Sequence, residues 1–401
     1  VSQQSALQQA FSSCSALLKQ YRQYWQLVPF SCQQLPWHNP ALAEKLLALP
    51  ERDLASIDQN PALQQRHFGE LFSGLFQLEY YFNVAGSDVP ANALKPVPFW
   101  LTNGIGGRKL AQITAFAEQL PPSKLPMLEW CAGKGHLGRL LAWQFSRPVT
   151  SIEWQQQLCV DGSTLATRFH IPQHFVHADV LTPQGSAALA PQQQVVALHA
   201  CGQLHIQLLR QAASIGCQQL HVVPCCYHLI GEEYYQPLSV LAQQHDLTLS
   251  QHDLKLAVQG QVTAGVRVEK LRHTEVQWRL AYQAMRVELT GDKNYRPLSS
   301  VAKHWFSADF ADFGQWAAEQ HQLSLPASPD WQRYLAKGAE HAALVRRIEL
   351  VRHLFRRPLE LWLVLDRALF LQQQGYQVTL QAFCDYQVTP RNLLLQAVLQ
   401  Q

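Results

Sequence analysis

Leu128-Glu-Trp-Cys-Ala-Gly-Lys-Gly-His-Leu-Gly138 runs directly into an apolar helical stretch carrying Leu140, Leu141 and Trp143. The order reads as a strand, a glycine turn and a helix. At the carboxyl end of the first strand of a doubly wound α/β sheet, such a turn lets the backbone approach a ligand closely, which residues without a Cβ allow. Glu129, just ahead of the glycines, sets the loop apart from phosphate-binding versions. A carboxylate there repels a pyrophosphate and suits a cationic, hydroxyl-rich ligand. Gly-x-Gly alone is also what an ordinary βα turn contains, so the reading depends on the rest of the chain.

On the C-terminal side, short apolar strands alternate with helices, which predicts a parallel sheet. Strands are expected at 126–130, 149–154, 173–176, 195–199 and 220–224. Residues 231–357 interrupt the alternation with helical, Arg-bearing sequence and read as an insertion or cap. Pro358 begins a helix through Leu361, Leu365 and Leu369 that ends at Gly375. Two last strands follow at 376–383 and 392–399, with Pro390 in the connection. A sheet closed by such a hairpin fits the methyltransferase plan better than the nicotinamide-binding one.

On the N-terminal side, Gly106-Gly-Arg-Lys109 leads a helix through Leu110, Ile113, Phe116 and Leu120, stopped by Pro121-Pro122. Residues 84–98 carry a Gly, Ser, Asp and Pro loop signature that marks a boundary near 95. Before it, helical spacing recurs at Leu17, Leu18, Tyr21, Tyr24 and Trp25, and at Phe68, Leu71, Phe72, Leu75 and Phe76. The expected organisation is a helical N-terminal region (1–95), the first part of the core (96–230), a helical insertion (231–357), and the last helix and hairpin of the core (358–401).

The 401 residues suffice for two or three domains. Apolar residues make up 47% of the chain, but no run approaches the roughly 20 needed to cross a membrane. The polar start Val1-Ser-Gln-Gln-Ser lacks a signal-peptide pattern, so the expectation is a soluble cytoplasmic protein without a membrane partner. Nine cysteines, with Cys225 and Cys226 adjacent, do not resemble a secreted disulfide framework and read as reduced thiols. The net charge of +3 is too mild to identify a nucleic-acid partner.

If 129–138 is the first glycine loop, the plan requires an acidic side chain at the end of the second strand to hold both ribose hydroxyls. Glu153 stands there, and Asp179, after His174-Phe-Val-His-Ala, stands at the tip of the third strand, where a carboxylate takes an adenine amino group. Each also reads as a surface acid at a strand end. Together with Glu129 they suit S-adenosylmethionine. The fourth strand ends as Leu-His199-Ala-Cys201-Gly, and the fifth as Pro-Cys225-Cys-Tyr-His228. Neighbouring strand ends converge beside the crevice, so His199, Cys201, Cys225, Cys226, Tyr227 and His228 crowd one volume. Three readings stand: an acid/base wall around a substrate, a thiolate/imidazole metal site, or small buried residues with satisfied histidines. Spacing weighs against metal, because adjacent Cys225 and Cys226 are expected to point different ways and no Cys-x-x-Cys pair is present. The expected metal set is none.

The motifs Glu-Trp-Cys-Ala-Gly-Lys-Gly-His-Leu-Gly, Ala-Leu-His-Ala-Cys-Gly and Pro-Cys-Cys-Tyr-His, in this order, resemble the methyltransferase-like domain of the glutathione S-transferase C-terminal domain-containing protein. The run Leu365-Asp-Arg-Ala, then Gly375-Tyr-Gln-Val and Pro390-Arg-Asn, is similar as well. More distantly the pattern resembles methyltransferase-like 25 proteins and the eukaryotic tRNA 2′-O-ribose methyltransferases, which carry Cys-Cys-His-His where this chain has Cys225-Cys-Tyr-His228. The resemblance covers about 105–230 and 360–400, and residues 1–95 have no counterpart in it. It implies a class I S-adenosylmethionine-dependent methyltransferase fold, Rossmann-like, with a seven-stranded sheet and a C-terminal antiparallel hairpin.

By motif position, the resemblance implies that Glu129, Gly133 and Gly135 line the methionine end of the cofactor, with Glu153 on the ribose and Asp179 on the adenine. Cys131, where many methyltransferases have the first glycine, and His199 complete the expected cofactor set. The fourth strand ends in His-Ala-Cys-Gly rather than the Asn/Asp-Pro-Pro-Tyr of amino-group methyltransferases, which argues against N-methylation of an exocyclic base amine. The reading is an RNA methyltransferase acting on tRNA or rRNA. His199 and His228 are expected as base or acceptor-positioning residues, Tyr227 as a hydrogen-bonding wall, and Cys226 as facing the methyl-transfer end. A protein or small-molecule methyltransferase, or a cofactor-binding module without turnover, are the alternatives. Residues 345–357 space Ile348, Val351, Leu354 and Phe355 along one helical face. Arg346, Arg347, Arg352, Arg356 and Arg357 lie on the other, an expected RNA contact against the plainer reading of a solvated basic face.

Overall fold

The computed structural model describes residues 3–78, 93–245, 247–259 and 266–400. Residues 84–92 of the expected loop and the Val1-Ser2 start lie outside the described residues. The strands are β1 (Met127–Glu129), β2 (Val149–Glu153), β3 (Gln173–His177), β4 (Gln194–Cys201), β5 (Gln219–Cys225), β6 (Tyr376–Ala382) and β7 (Leu393–Leu399). They form one sheet in the order β3-β2-β1-β4-β5-β7-β6. The first five run parallel, and β7 pairs antiparallel with both β5 and β6. This is the class I methyltransferase fold with its closing hairpin.

The chain leaves β1 for β2 on one side, while β4 pairs on its other side. Loops above β1 and β4 therefore diverge, which opens a crevice at their carboxyl ends. Strand β1 is only three residues long and wholly buried. Its helix, His136–Phe145, packs Leu137, Leu140 and Leu141 with Ile113 and Phe116 of the helix Gly107–Glu118 and with Leu120 just beyond that helix. The helix Arg356–Gln373 is buried along most of its length. Against it lies the helix Gln3–Gln20, where Phe11 meets Trp362 at 5.3 Å and Trp362 Nε1 donates to Ser15 Oγ at 2.8 Å.

Strand β4 runs two residues beyond its expected end. A bulge between Leu198 and Ala200 lifts His199 out of register, after which Ala200 and Cys201 pair with Pro224 and Cys225. His199 adopts φ +64°, in the left-handed region.

Contacts divide the chain into two compact units: residues 1–20, 74–259 and 356–401 around the sheet, and residues 21–73 with 260–355. The divisions read in chain order, 1–95 and 231–357, are thus each split. The first helix joins the sheet unit through its packing on Trp362. Residues 231–259 join it because Asp366, fully buried, accepts hydrogen bonds from Tyr235 Oη at 2.6 Å, Leu238 N at 2.9 Å and Ser239 N at 2.7 Å.

Among described residues the second unit is helical. Its helices Val266–Thr290 and Trp331–His353 approach so closely at Gly338 that a Cβ there would lie 2.6 Å from Ala281 Cβ. Trp278, Phe306, Phe310 and Phe313 fill its aromatic core.

The arginine face expected over 345–357 is not one continuous helix: one helix ends at His353 and the next begins at Arg356. Four of its five arginines, Arg346, Arg347, Arg352 and Arg357, are engaged within the protein. Arg352 is 1% exposed and donates through Nε to Trp25 O at 2.9 Å. Arg347 holds the carbonyls of Leu46 and Leu49 at the end of the helix Pro40–Ala48, and Arg346 pairs with Glu51. Arg357 donates to Glu360 Oε2 at 2.7 Å and Asn392 Oδ1 at 3.1 Å. Carbonyls left over at helix ends and nearby carboxylates compete for guanidinium groups, and here they win. No described helix is long and apolar enough to cross a membrane.

Candidate functional site

Three glycines shape the loop after β1, each for its own reason. Gly133 (φ +58°) has no heavy atom within 4 Å of where a Cβ would stand, so it bares backbone to open space. Gly135 (φ +64°) makes room for Phe175, 2.4 Å from its would-be Cβ, and Gly138 for Glu129 Oε2 at 2.3 Å. Gly133 thus borders open space, while Gly135 and Gly138 let helix and strand close up. Cys131 takes φ +58° without being glycine, and the hydrogen bond from Ala132 N to Ile152 O at 2.8 Å pins the loop beside it.

Glu129 is 3% exposed at the end of β1. Its neighbour in register on β2, Ser151, donates to Oε2 at 2.6 Å. Gln173, reaching across from β3, donates to Ser151 Oγ at 2.9 Å and to Gly135 O at 3.0 Å. Burial raises the Glu129 carboxyl to about 6, opposed by Ser151, the Gly138 N–H, Lys109 and Arg139. Lys109, on the helix Gly107–Glu118, is lowered by burial while Glu129 and Cys225 favour its charge.

Glu153, at the tip of β2, is 5% exposed. Its Oε2 accepts from Gly133 N at 2.8 Å and its Oε1 from Gln155 N at 3.0 Å. Asp179 is exposed after β3 and accepts Leu181 N at 2.9 Å. Burial, followed by Glu153, Cys201, Asp179 and Glu129, pushes the Cys131 thiol up to about 12. The carboxylates singled out by motif therefore surround one loop residue. A cavity of about 290 Å³ opens here, lined by Lys109, Glu129, Cys131, Gly133, His136 and His199 among others.

At the other wall, His199 Nε2 lies 3.2 Å from Gln112 Oε1. Gln112 Nε2 donates to Val388 O, which turns its oxygen toward the imidazole, so His199 carries its proton on Nε2 and its lone pair on Nδ1. Burial, Lys109 and Arg391 hold this imidazole down to about 4.

Cys201 Sγ and Cys225 Sγ are 3.3 Å apart, and the sulfurs of Cys201, Cys225 and Cys226 all lie within 4.8 Å of one another. Adjacent Cys225 and Cys226 were expected to diverge. The alternation of a strand fails at Cys226, whose φ of +47° turns its thiol back toward the other two. His228 is half-buried, and its Nδ1 is buried without a hydrogen-bond partner.

Tyr227 is a correction. Rather than walling an acceptor pocket, it is fully buried, its hydroxyl on Pro224 O at 3.3 Å and its ring 5.1 Å from the Arg367 guanidinium. Arg367, also fully buried, donates to His205 Nε2 at 2.8 Å, and His205 Nδ1 meets Ala200 O at 2.8 Å, so this network braces β4 from below. Sequence reasoning passed over Lys109, Gln112, Ser151 and Gln173. Lys109 and Gln112 sit three apart on a helix read only for its apolar face, and Ser151 and Gln173 are polar residues in otherwise apolar strands.

Residues 108–233 match a family model described as a methyltransferase domain. No curated protein matches the chain. Solved structures similar to it include coclaurine N-methyltransferase bound to N-methylheliamine and SAH, 12% identical over 53% of this chain and 63% of that one, with a TM-score of 0.28. Geranyl diphosphate methyltransferase in complex with GPP and sinefungin is 13% identical over 51% and 78%, with a TM-score of 0.25. The cyclopropane synthase MmaA2 from Mycobacterium tuberculosis is 11% identical over 72% and 82%, with a TM-score of 0.24. At these TM-scores the likenesses carry no argument, and the fold rests on the sheet order and the loop. The matched residues 108–233 hold the glycine loop and both strand tips.

Proposed function

We propose that this chain is an S-adenosylmethionine-dependent methyltransferase whose cofactor lies over Gly133, between Glu129 and Glu153. The observation that carries the reading is Glu153: a buried carboxylate already aimed by two backbone N–H groups, at the edge of a cradle that a Cβ would narrow. Such a carboxylate suits a ribose diol, accepting two charge-assisted hydrogen bonds without reorganising. Glu129, Cys131, Gly133 and Gly135 would hold the methionine end, and Asp179 the adenine. When bound, the cofactor supplies a methyl group already activated by its sulfonium. The chain then has to align an acceptor and take its proton. His199 fits that task through the lone pair on Nδ1, and His228 and Cys226 stand at the neighbouring tip.

RNA as the acceptor rests on resemblance to the tRNA 2′-O-ribose methyltransferases. The arginines 346, 347, 352 and 357 lend it no support, being engaged within the protein. Incubation with methyl-labelled S-adenosylmethionine and extract from cells lacking the protein tests both levels. Label that is nuclease-sensitive supports RNA, whereas protease-sensitive or small-molecule label replaces it. Absence of both cofactor binding and labelling overturns the methyltransferase reading itself.

A further inference from the structure

The loop carboxylates and His199 leave one cluster unused, at the tips of β4 and β5. Cys201, Cys225 and Cys226 are free thiols whose sulfurs lie within 4.8 Å of one another. Two backbone departures bring them together: the bulge at His199, which restores Cys201 to register with Cys225, and the left-handed φ of +47° at Cys226. A non-glycine residue keeps that conformation only where its surroundings fix it. Packing three sulfurs together gains little that three methyl-bearing side chains would not supply, and it asks thiols, which are weak donors, to satisfy one another.

We propose that Cys201, Cys225 and Cys226 bind a thiophilic divalent cation, zinc in the first instance, through their three sulfurs. Thiolates bound at about 2.3 Å around a tetrahedral zinc stand about 3.8 Å apart, against 3.3 Å between Cys201 and Cys225 and no more than 4.8 Å for any pair of the three. Binding forms three metal–sulfur bonds and releases the thiol protons to solvent, with no change of oxidation state. Three thiolates on a divalent cation leave one net negative charge, and Lys109 beside Cys225 and Arg391 beside Cys226 are placed to balance it. Three protein ligands leave the fourth position of the metal for water or an acceptor atom, which is the pattern of a reactive rather than a purely structural site. The buried, unpartnered Nδ1 of His228 is the nearest unsatisfied imidazole nitrogen in the sequence around the cluster.

The test uses zinc and cobalt ions alone, on the full chain, and does not depend on cofactor binding. Protein purified under reducing conditions with zinc present is expected to keep one equivalent through dialysis against a weak chelator. Cobalt added to the metal-free protein is expected to give a near-ultraviolet thiolate-to-cobalt charge-transfer band. Cys225→Ser and Cys226→Ser should each weaken metal affinity by at least the roughly 10–100-fold that outer-shell changes cost. Cys384→Ser, outside the cluster, should leave affinity and band unchanged. A wild-type protein that takes up cobalt without the thiolate band overturns the proposal, and so does a band that survives in Cys226→Ser. Where a cluster variant does not fold, as judged by circular dichroism, the wild-type cobalt spectrum decides alone.

Discussion

The backbone N–H of Gly133 donates to Glu153 Oε2 at 2.8 Å, tying the tip of β2 to the one loop glycine that faces open space. The bond couples two things that a cofactor site needs, a bared backbone and an oriented carboxylate. Each oxygen of Glu153 uses one lone-pair direction on the protein and keeps another for a ligand.

Glu153→Ala frees the Gly133 N–H and, in the proposed site, removes both acceptors offered to the ribose. Hydrogen bonds to a charged acceptor are worth about 1.5–3 kcal/mol each, so S-adenosylmethionine binding should weaken at least about tenfold. Glu153→Gln keeps the shape and should lose less. Isothermal calorimetry on the three proteins checks the order, and equal affinities would remove Glu153 from the site.

Two glycines five residues apart should fail differently. Gly138→Ala places a methyl 2.3 Å from Glu129 Oε2, 2.7 Å from Gln173 Nε2 and 2.8 Å from Ser151 Oγ. That overpacking should cost about 1–3 kcal/mol of stability. Gly133→Ala meets no atom within 4 Å. It should cost only about 1–2 kcal/mol for its left-handed φ, while obstructing the ligand. Urea unfolding paired with calorimetry reads both: the larger stability loss belongs to Gly138→Ala, the larger affinity loss to Gly133→Ala.

Glu129 gives the site a pH dependence of definite sign. Its folded carboxyl stands at about 6 against an ordinary 4.5, because burial disfavours the charge. Between those values the folded state holds the extra proton, so stability falls as pH rises through the window, by about 2 kcal/mol, and levels off above it. Affinity for a cationic ligand runs the other way, rising up to about tenfold from pH 5 to pH 7 as the carboxylate forms. Glu129→Gln should abolish both slopes. Denaturant midpoints and calorimetry at the two pH values, wild type against variant, measure them.

The sheet was legible because its strands are apolar runs punctuated by glycine and proline, and both 376–383 and 392–399 emerge as β6 and β7 within a residue. Motif spacing likewise placed Glu129 and Glu153 at the ends of their strands and Asp179 just past the third. Periodicity failed where tertiary contacts override local order. Nothing in 1–95 announces that Gln3–Gln20 belongs with Trp362, hundreds of residues away, while Tyr21–Ser73 belongs elsewhere. Alternation predicted that Cys225 and Cys226 point apart, and the convergence of the strand ends made Tyr227 look like a wall of the acceptor pocket. The bulge at His199 and the left-handed Cys226 break that rule, burying the tyrosine and gathering the thiols.

Arg352 separates a structural arginine from a phosphate-binding one. It is 1% exposed, and its Nε donates to the Trp25 carbonyl, so Arg352→Ala strands a buried acceptor and should cost about 1–3 kcal/mol in urea unfolding. Arg346, about a third exposed and paired with Glu51, should cost no more than about 1 kcal/mol on replacement by alanine. A phosphate contact behaves otherwise: its loss leaves stability alone and lowers the log–log salt slope of RNA binding by about 1 per residue. With any RNA that the protein retains, the slope should therefore be the same for wild type, Arg346→Ala and Arg352→Ala, measured by fluorescence anisotropy across a salt series. A slope reduced by about 2 in the double variant, with unfolding unchanged, would return these arginines to an RNA-binding role.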